Sequence, residues 1–327
     1  MLSTDNEPII VVCASDNNYA MPLAVTVRSA LVNLKSQRKI LLFIIDGGIK
    51  NHNKQKILQS ISIDNCEIKF IPKPDSWLDL MKFDNLEKKH WLSVSGAAFY
   101  RLMIAELLPK QFDKAIYLDC DLVVRGNLEE LWTNDLADNY ILAVQNLRIP
   151  YVSSPWGLLN YKELGISPDT KYFNSGVLVI NLKKWRDDKM TIKAIEYLNK
   201  NKEYIRMHDQ DGLNALFANQ WGELDPRWNV PPYITDIYPS WADSLFSEEV
   251  YNVLISEPYI IHYLTDKKPW TSRHTPLKDY FFHYLDMTAW SGWRLTTWRR
   301  LKLKLIHKFE NLMSKITNQG DIFAFFK

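Results

Sequence analysis

Cysteine is scarce in this chain: there are 3 in 327 residues, Cys13, Cys66 and Cys120. They are too scattered for a disulfide framework or a thiolate metal site, which fits a reducing, cytosolic setting. An excess of one charge is lacking as well. Forty Lys+Arg stand against 38 Asp+Glu, and a net charge of +2 argues against nucleic acid as a partner. The first residues, MLSTDNEP, hold neither a basic stretch nor an apolar core, so no secretory signal is expected. No apolar run approaches the roughly 18–20 residues that span a bilayer. Internal repeats and low-complexity tracts are missing too. What remains is a globular composition, 46% hydrophobic, long enough for one large α/β domain or two smaller ones.

The pattern that is present is an alternation. IIVVCAS (9–15), KILLFIID (39–46), CEIKFI (66–71) and AIYLD (115–119) read as buried strands. DNNYAMPLAVTVRSALVNL, NKQKILQSI and AAFYRLMIAELL, lying between them, read as helices. Such alternation predicts a mostly parallel central sheet covered on both faces, with ligands beyond the carboxyl ends of its strands. Further on, YFNSGVLVINLKKW (172–185) contains a strand and KMTIKAIEYLNKN (189–201) a helix, while HDQDGLNALF (208–217) starts a helix with acids in its first turn. From residue 288 the character changes. Trp298, Leu301, Leu305, Phe309 and Leu312 recur at helical spacing, with Arg299, Arg300, Lys302, Lys304 and Lys308 mostly off that stripe. The division expected is a body over 1–287 and a basic, aromatic amphipathic segment over 288–327.

In AIYLDCDLVV two carboxylates, Asp119 and Asp121, stand one residue apart where an apolar strand leaves the core. Like charges this close raise each other's pKa unless a cation holds both ionised. A divalent cation resolves the conflict, and oxygen ligands suit Mg²⁺ or Mn²⁺. Two other readings stay open on these residues alone. One Asp could cap the turn while the other is solvated. YLDCDLV also fits haloacid-dehalogenase-like phosphatases, in which a nucleophilic Asp precedes a general acid/base Asp. That chemistry needs a later acidic pair after a strand, and Asp187–Asp188 follows KKWR at what reads as a helix start. IHYLTDKKPW (261–270) adds His262 at a strand end, followed by Lys267 and Lys268. An imidazole beside two carboxylates tilts the preference toward Mn²⁺, and a lysine there could reach phosphate oxygens.

Six stretches in order, ASDNNYA, FYRL, YLDCDLVV, YFNSGVLVINLKKWR, HDQDGLNALF and HYLTDKKPW, resemble the retaining glycosyltransferases of family 8, over about residues 8–272. The bacterial lipooligosaccharide α-galactosyltransferases and the general stress protein A group are the most similar. The resemblance implies a GT-A (Rossmann-like) fold, a UDP-galactose or UDP-glucose donor, and Mn²⁺ (Mg²⁺ as the alternative) on Asp119, Asp121 and His262. It assigns the UDP-sugar to Ala14, Asp16, Asn18, Tyr19, Arg101, Asp119, Cys120, Asp121, Asn174, Ser175, Asp209, Gln210, His262, Thr265 and Lys268.

Within that set, Asp16 and Asn18 suit a base edge and Tyr19 its face, although Asp16 or Asn17 could equally cap the next helix. Arg101 matches a donor-contacting arginine, and a structural ion pair is the alternative. Asn174 and Ser175 match the sugar pocket, and Gly176 could simply permit a tight turn. Asp209 matches the acceptor of sugar-hydroxyl hydrogen bonds and Gln210 the residue nearest the anomeric carbon, a pair named here as catalytic; helix capping by Asp209 or Asp211 is compatible. Two departures stand out. Thr265 replaces a glycine that lets backbone approach a phosphate, and Asn146 replaces a carboxylate often found near the acceptor.

The resemblance thus implies hexosyl transfer to a hydroxyl of a lipopolysaccharide, lipid-linked or polysaccharide acceptor. Front-face attack is favoured, because no carboxylate is an unambiguous nucleophile. An inactive nucleotide-sugar-binding relative is the non-enzyme alternative. The basic segment, with Trp293 and Trp298, suggests peripheral contact of 293–312 with an anionic membrane on its cytoplasmic face; packing of its stripe on the body is the competing expectation.

Overall fold

A computed structural model describes residues 7–61, 65–73, 76, 79, 80, 96–301 and 305. The elements that matter here are β1 (Ile9–Ser15), α1 (Ala20–Val32), β2 (Ile40–Asp46), α2 (Asn51–Ile61), β3 (Cys66–Pro72), α3 (Ile104–Leu107), β4 (Lys114–Leu118), β5 (Leu122–Val124), α4 (Leu128–Trp132), β6 (Ile141–Gln145), β7 (Phe173–Asn181), α5 (Leu182–Asp187), α6 (Met190–Lys200), α7 (Asp209–Leu216), β8 (Trp221–Glu223), α8 (Ile234–Ile237), α9 (Glu248–Ser256), β9 (Ile260–His262) and α10 (Lys278–Leu285). Seven strands form one sheet in the order β3-β2-β1-β4-β7-β6-β8. Only β7 runs against its neighbours, so the sheet is mostly parallel as the alternation predicts.

Every residue of β1 is buried, the continuous apolar run of a central parallel strand. β3 departs from expectation. It is the sheet's edge, and Glu67 and Lys69 alternate outward from it, so it is half wet rather than buried. AAFYRLMIAELL is not one α-helix either. Residues 99–105 are all buried, so no wet face imposes a 3.6-residue period. The chain winds as a 3₁₀ helix over Gly96–Met103 and continues as the single turn α3.

Two features bring the polar strand exits together. β1 and β4 are parallel neighbours, so ASDNNYA and LDCD leave the sheet on one side. A second, two-stranded sheet pairs β5 with β9 antiparallel and sets Leu122 opposite His262. The Thr26 hydroxyl of α1 lies 2.9 Å from both the Cys120 and Leu122 carbonyls, pinning the turn between β4 and β5.

The start of the C-terminal segment packs on the body. Thr288 and Leu295 are buried, Trp290 joins the main core, and Arg294 forms two bonds to Asp286, at 2.6 and 2.9 Å. Residues 297–301 are helical, and Trp298 is 79% exposed. Lys302, Lys304, Lys308, Phe309 and Leu312 lie outside the described residues. Among the described residues no helix is long and apolar enough to cross a membrane.

Candidate active site

The β5–β9 pairing delivers His262 to the turn that carries the two aspartates. Its Nε2 lies 3.2 Å from Asp121 Oδ1 and 3.8 Å from Asp119 Oδ2. The ligand atoms of all three side chains fall within 4.8 Å of one another, a spacing one cation can satisfy. Two observations show the cluster is built. Nδ1 of His262 is 2.8 Å from Asn229 Oδ1, whose own amide donates to Asn174 Oδ1 at 2.8 Å. That pairing fixes the proton on Nδ1 and leaves the Nε2 lone pair aimed at the carboxylates, as histidine metal ligands require. Second, Gly176 lies beneath the cluster. A Cβ there would stand 2.7 Å from Asp119 Oδ2 and closer still to His262 Cε1. Gly176 therefore supplies space rather than a turn; its φ is not positive, since the positive-φ glycines lie elsewhere.

Charge supports the geometry. Burial works against an ionised Asp121, yet Lys268 beside it holds its carboxyl well below the usual range. Lys268 Nζ sits 2.5 Å from Asp121 Oδ2 and also bonds the Tyr263 carbonyl. Asp119 is tied from the other side: Tyr117 donates to its Oδ1 at 2.7 Å, and Arg101 Nη2 is 3.0 Å away.

Arg101 is the hub that joins this cluster to α7. Its Nε lies 2.8 Å from Asp209 Oδ2 without the alignment of a hydrogen bond, and its Nη1 donates to the Ser175 carbonyl at 2.6 Å. Burial pushes the Asp209 carboxyl up to about 7 despite Arg101. A folded-state value above the ordinary 3.8 means the native state binds a proton the unfolded chain has released. Stability from this group is therefore full near pH 4 and falls as pH rises toward 7. Metal-free thermal melts should show that fall, on the order of a few kcal/mol, and Asp209→Asn should flatten it. Parallel curves for both proteins would refute the assignment.

The acids of HDQDG divide their work. Asp211 accepts from the Arg206 and Met207 amides at 2.7 and 2.8 Å and so braces the helix start, whereas Asp209 faces Arg101. Gln210 is held rigid: Ser175 N donates to its Oε1 at 3.0 Å, and its amide donates to the Tyr172 hydroxyl at 3.1 Å. His208, just before the helix, has φ 56° and ψ −129°, a strained conformation of the kind that gathers at functional sites.

The nucleotide residues are arranged less tightly. Asp16 Oδ1 accepts from the Asn18 and Tyr19 amides (2.9 and 3.0 Å), so it does brace the turn before α1. Asn17 instead accepts from Lys50 N at 3.0 Å. Asn18 is exposed, and Tyr19 packs edge-on against Trp270 with centroids 5.9 Å apart. The Cys120 thiol donates to the Ala14 carbonyl at 3.0 Å, so its side chain faces β1. Half-buried Thr265 accepts from the Lys267 amide at 3.3 Å. Sequence reasoning missed Asn229 and Tyr117. RWNVPP carries no motif for the first, and the second stands two residues before Asp119 within an apolar run.

Residues 10–274 match the family model described as Glycosyl transferase family 8. The chain belongs to that family. General stress protein A of Bacillus subtilis (strain 168) is 32% identical over 292 residues, 88% of this chain and 96% of that protein. Lipopolysaccharide 1,2-glucosyltransferase of Escherichia coli is 25% identical over 288 residues, 84% of this chain and 77% of that protein. Among solved structures, the galactosyltransferase LgtC in complex with donor and acceptor sugar analogs superposes with a TM-score of 0.70 at 26% identity, over 86% of this chain and 96% of that one. The fold is accordingly GT-A and the protein a family 8 transferase. The phosphatase reading finds no support. Asp187 and Asp188 close α5 instead of opening a helix, pairing with Lys183 (2.5 Å) and the Tyr140 hydroxyl (2.6 Å).

Proposed function

We propose that this family 8 transferase moves galactose or glucose, with retention, from a UDP-sugar to a hydroxyl of a lipopolysaccharide, lipid-linked or polysaccharide acceptor. The observation that carries the reading is the Asp119–Asp121–His262 cluster, with Asn229 behind the imidazole and a glycine beneath. Its mixed oxygen and nitrogen donors fit Mn²⁺ better than Mg²⁺. When bound there, the cation supplies positive charge to the departing diphosphate. Lys268 adds a second positive group beside the same oxygens. Asp16, Asn18 and Tyr19, with the Ala14 and Cys120 backbones, hold the uridine. Asp209 takes the donor-sugar hydroxyls, aimed by Arg101. The Gln210 amide, with both ends already bonded, positions the anomeric carbon and is no nucleophile. Front-face attack follows: the acceptor hydroxyl forms the new glycosidic bond as the sugar–phosphate bond breaks, and its proton passes to the leaving phosphate.

Calorimetry with UDP, UDP-glucose and UDP-galactose, each with and without Mn²⁺, tests this. Mn²⁺-dependent binding that disappears in Asp121→Ala is expected. Absence of UDP binding under both conditions would defeat the proposal. Asn229→Ala frees the imidazole to turn and should weaken Mn²⁺ about 10–100-fold; unchanged Mn²⁺ affinity would remove Asn229 from the site.

The basic segment supports peripheral membrane contact at a cytoplasmic face. Trp298, Leu301 and Leu305 are exposed at 79%, 48% and 67%, and each nearby Lys or Arg adds about 1 kcal/mol at an anionic surface. The packing of Thr288, Trp290 and Leu295 on the body supports a surface that begins beside the catalytic domain. Full-length protein should float with anionic liposomes while a chain ending at residue 295 should not; equal flotation would count against the contact.

A further inference from the structure

Where the C-terminal segment packs on the body, a cavity of about 260 Å³ lies between it, the start of α10 and the chain after Lys268. The donor site makes no use of it. Pro269 and Leu295 in its lining are buried and Phe282 is half-buried, so one wall is apolar. Arg273, Lys278 and Arg294 bring three cations to the same hollow, against one carboxylate, Asp279, among the described residues.

Backbone, more than acid, holds those cations in place. Lys278 Nζ donates to the Arg273 carbonyl at 2.5 Å. Arg273 donates from Nε to the Leu295 carbonyl at 3.3 Å and from Nη2 to Thr297 Oγ1 at 2.8 Å. Only Arg294 is paired, with Asp286 at 2.6 Å, and it lies over the Phe282 ring, 4.6 Å from the centroid. A carbonyl or a hydroxyl cancels no charge, so Arg273 and Lys278 keep theirs. An ammonium has three N–H groups and a guanidinium five, and these bonds occupy a minority of them. Asp279 offsets part of the charge and the lining stays positive. Anchored cationic donors beside an apolar wall suit phosphate oxygens with a short substituent attached.

Size and position say which phosphate. The volume falls below the roughly 300–1,000 Å³ of sites that enclose a drug-sized ligand. A headgroup fits when the rest of its molecule stays outside. Leu295, in the lining, is three residues from Trp298, so their α-carbons stand at most about 11 Å apart. Trp298 and Leu301 follow each other on one helical face and are 79% and 48% exposed, an apolar pair for the interface. Arg299 donates to the Arg294 carbonyl at 2.8 Å, which ties that helix to the cavity wall. With Trp298 in the headgroup layer, the cavity stands near the depth of the lipid phosphates.

We propose that the cavity walled by Arg273, Lys278 and Arg294 seats the phosphate of an anionic phospholipid headgroup. The proposal rests on the peripheral-membrane reading above and adds a lipid-selective site to it. Sedimentation of the full-length protein with two series of phosphatidylcholine vesicles tests it. Phosphatidylglycerol charges one series and oleate the other, to equal surface potential. Phosphatidylglycerol vesicles should bind about tenfold tighter, because oleate gives the charge without the phosphate. Lys278→Gln and the cavity-filling Ser272→Phe should bring the two affinities together at unchanged Tm. Arg300→Gln, which removes a charge from the exposed helix, should weaken both alike and keep their ratio. Soluble glycerol 3-phosphate should release the protein from phosphatidylglycerol vesicles and not from oleate ones. Equal affinity for the two series, or a preference that survives both cavity substitutions, would overturn the site and leave the membrane contact standing. Tight binding of glycerol 3-phosphate with no preference between vesicles would assign the cavity to a soluble phosphate ester and overturn the lipid. Absence of binding to either series would defeat the membrane reading itself, and the headgroup site with it.

Discussion

Replacing Gly176 with alanine is expected to abolish Mn²⁺-dependent UDP binding while the protein stays folded. The added methyl would meet Asp119 Oδ2 at 2.7 Å and crowd the His262 ring edge. Neither neighbour can retreat. Asp119 is held by Tyr117 and Arg101, and His262 by Asn229 and by its backbone bond to Val230. The cluster must open, and displacement of a ligand by an ångström costs on the order of 100-fold in affinity or rate. The fold suffers less. Overpacking costs about 1–3 kcal/mol, and β7 keeps its pairing with β4 and β6 because glycine's conformational freedom is not used here. Calorimetry with Mn²⁺ and UDP, beside a thermal melt, separates the two effects. A G176A protein that binds Mn²⁺–UDP like wild type would show that the three side chains do not share a cation.

The layout of this site was partly legible in advance, and what was legible had local causes. A buried parallel strand must be an unbroken apolar run, so IIVVCAS announced β1, and a pair of aspartates at a strand exit pointed to the cluster that they form with His262. β3 misled because CEIKFI has apolar content without the context that decides its burial. Its edge position depends on which strands follow it in space, which no short window contains. AAFYRLMIAELL misled for a related reason: burial of every residue from 99 to 105 erased the contrast on which helical periodicity depends. The site showed the same divide. The residues expected to meet the ligand stand in motifs. Those that orient them do not, since Asn229 comes to stand behind His262 only when β9 pairs with β5 and Val230 bridges to Ile261. Gly176 was visible in YFNSGV, but its reason lay in two side chains from distant strands.

Arg101→Met should be the most destabilising single change in the site. The guanidinium is 6% exposed, forms ion pairs with Asp119 and Asp209 and donates to the Ser175 carbonyl. Methionine fills much of the same space, so the loss is electrostatic rather than a cavity. Removing one partner of a buried ion network leaves uncompensated charge and costs about 3–5 kcal/mol, which for a chain of this length lowers Tm by roughly 10 °C. Arg101→Lys should fall between, because an ammonium cannot present the fork that reaches three acceptors. The cause can be isolated by pH. Asp209 already titrates near 7, pushed up by burial against the opposing pull of Arg101. Without that charge its carboxyl rises further and takes up a proton instead of remaining stranded. The penalty of R101M should therefore be smaller at pH 5 than at pH 8. Adding Asp209→Asn should recover part of the pH 8 loss, a coupling that independent sites would not show. Equal penalties at both pH values, with no recovery in the double variant, would mean that Arg101 stabilises the fold by packing alone and does not hold the two aspartates together.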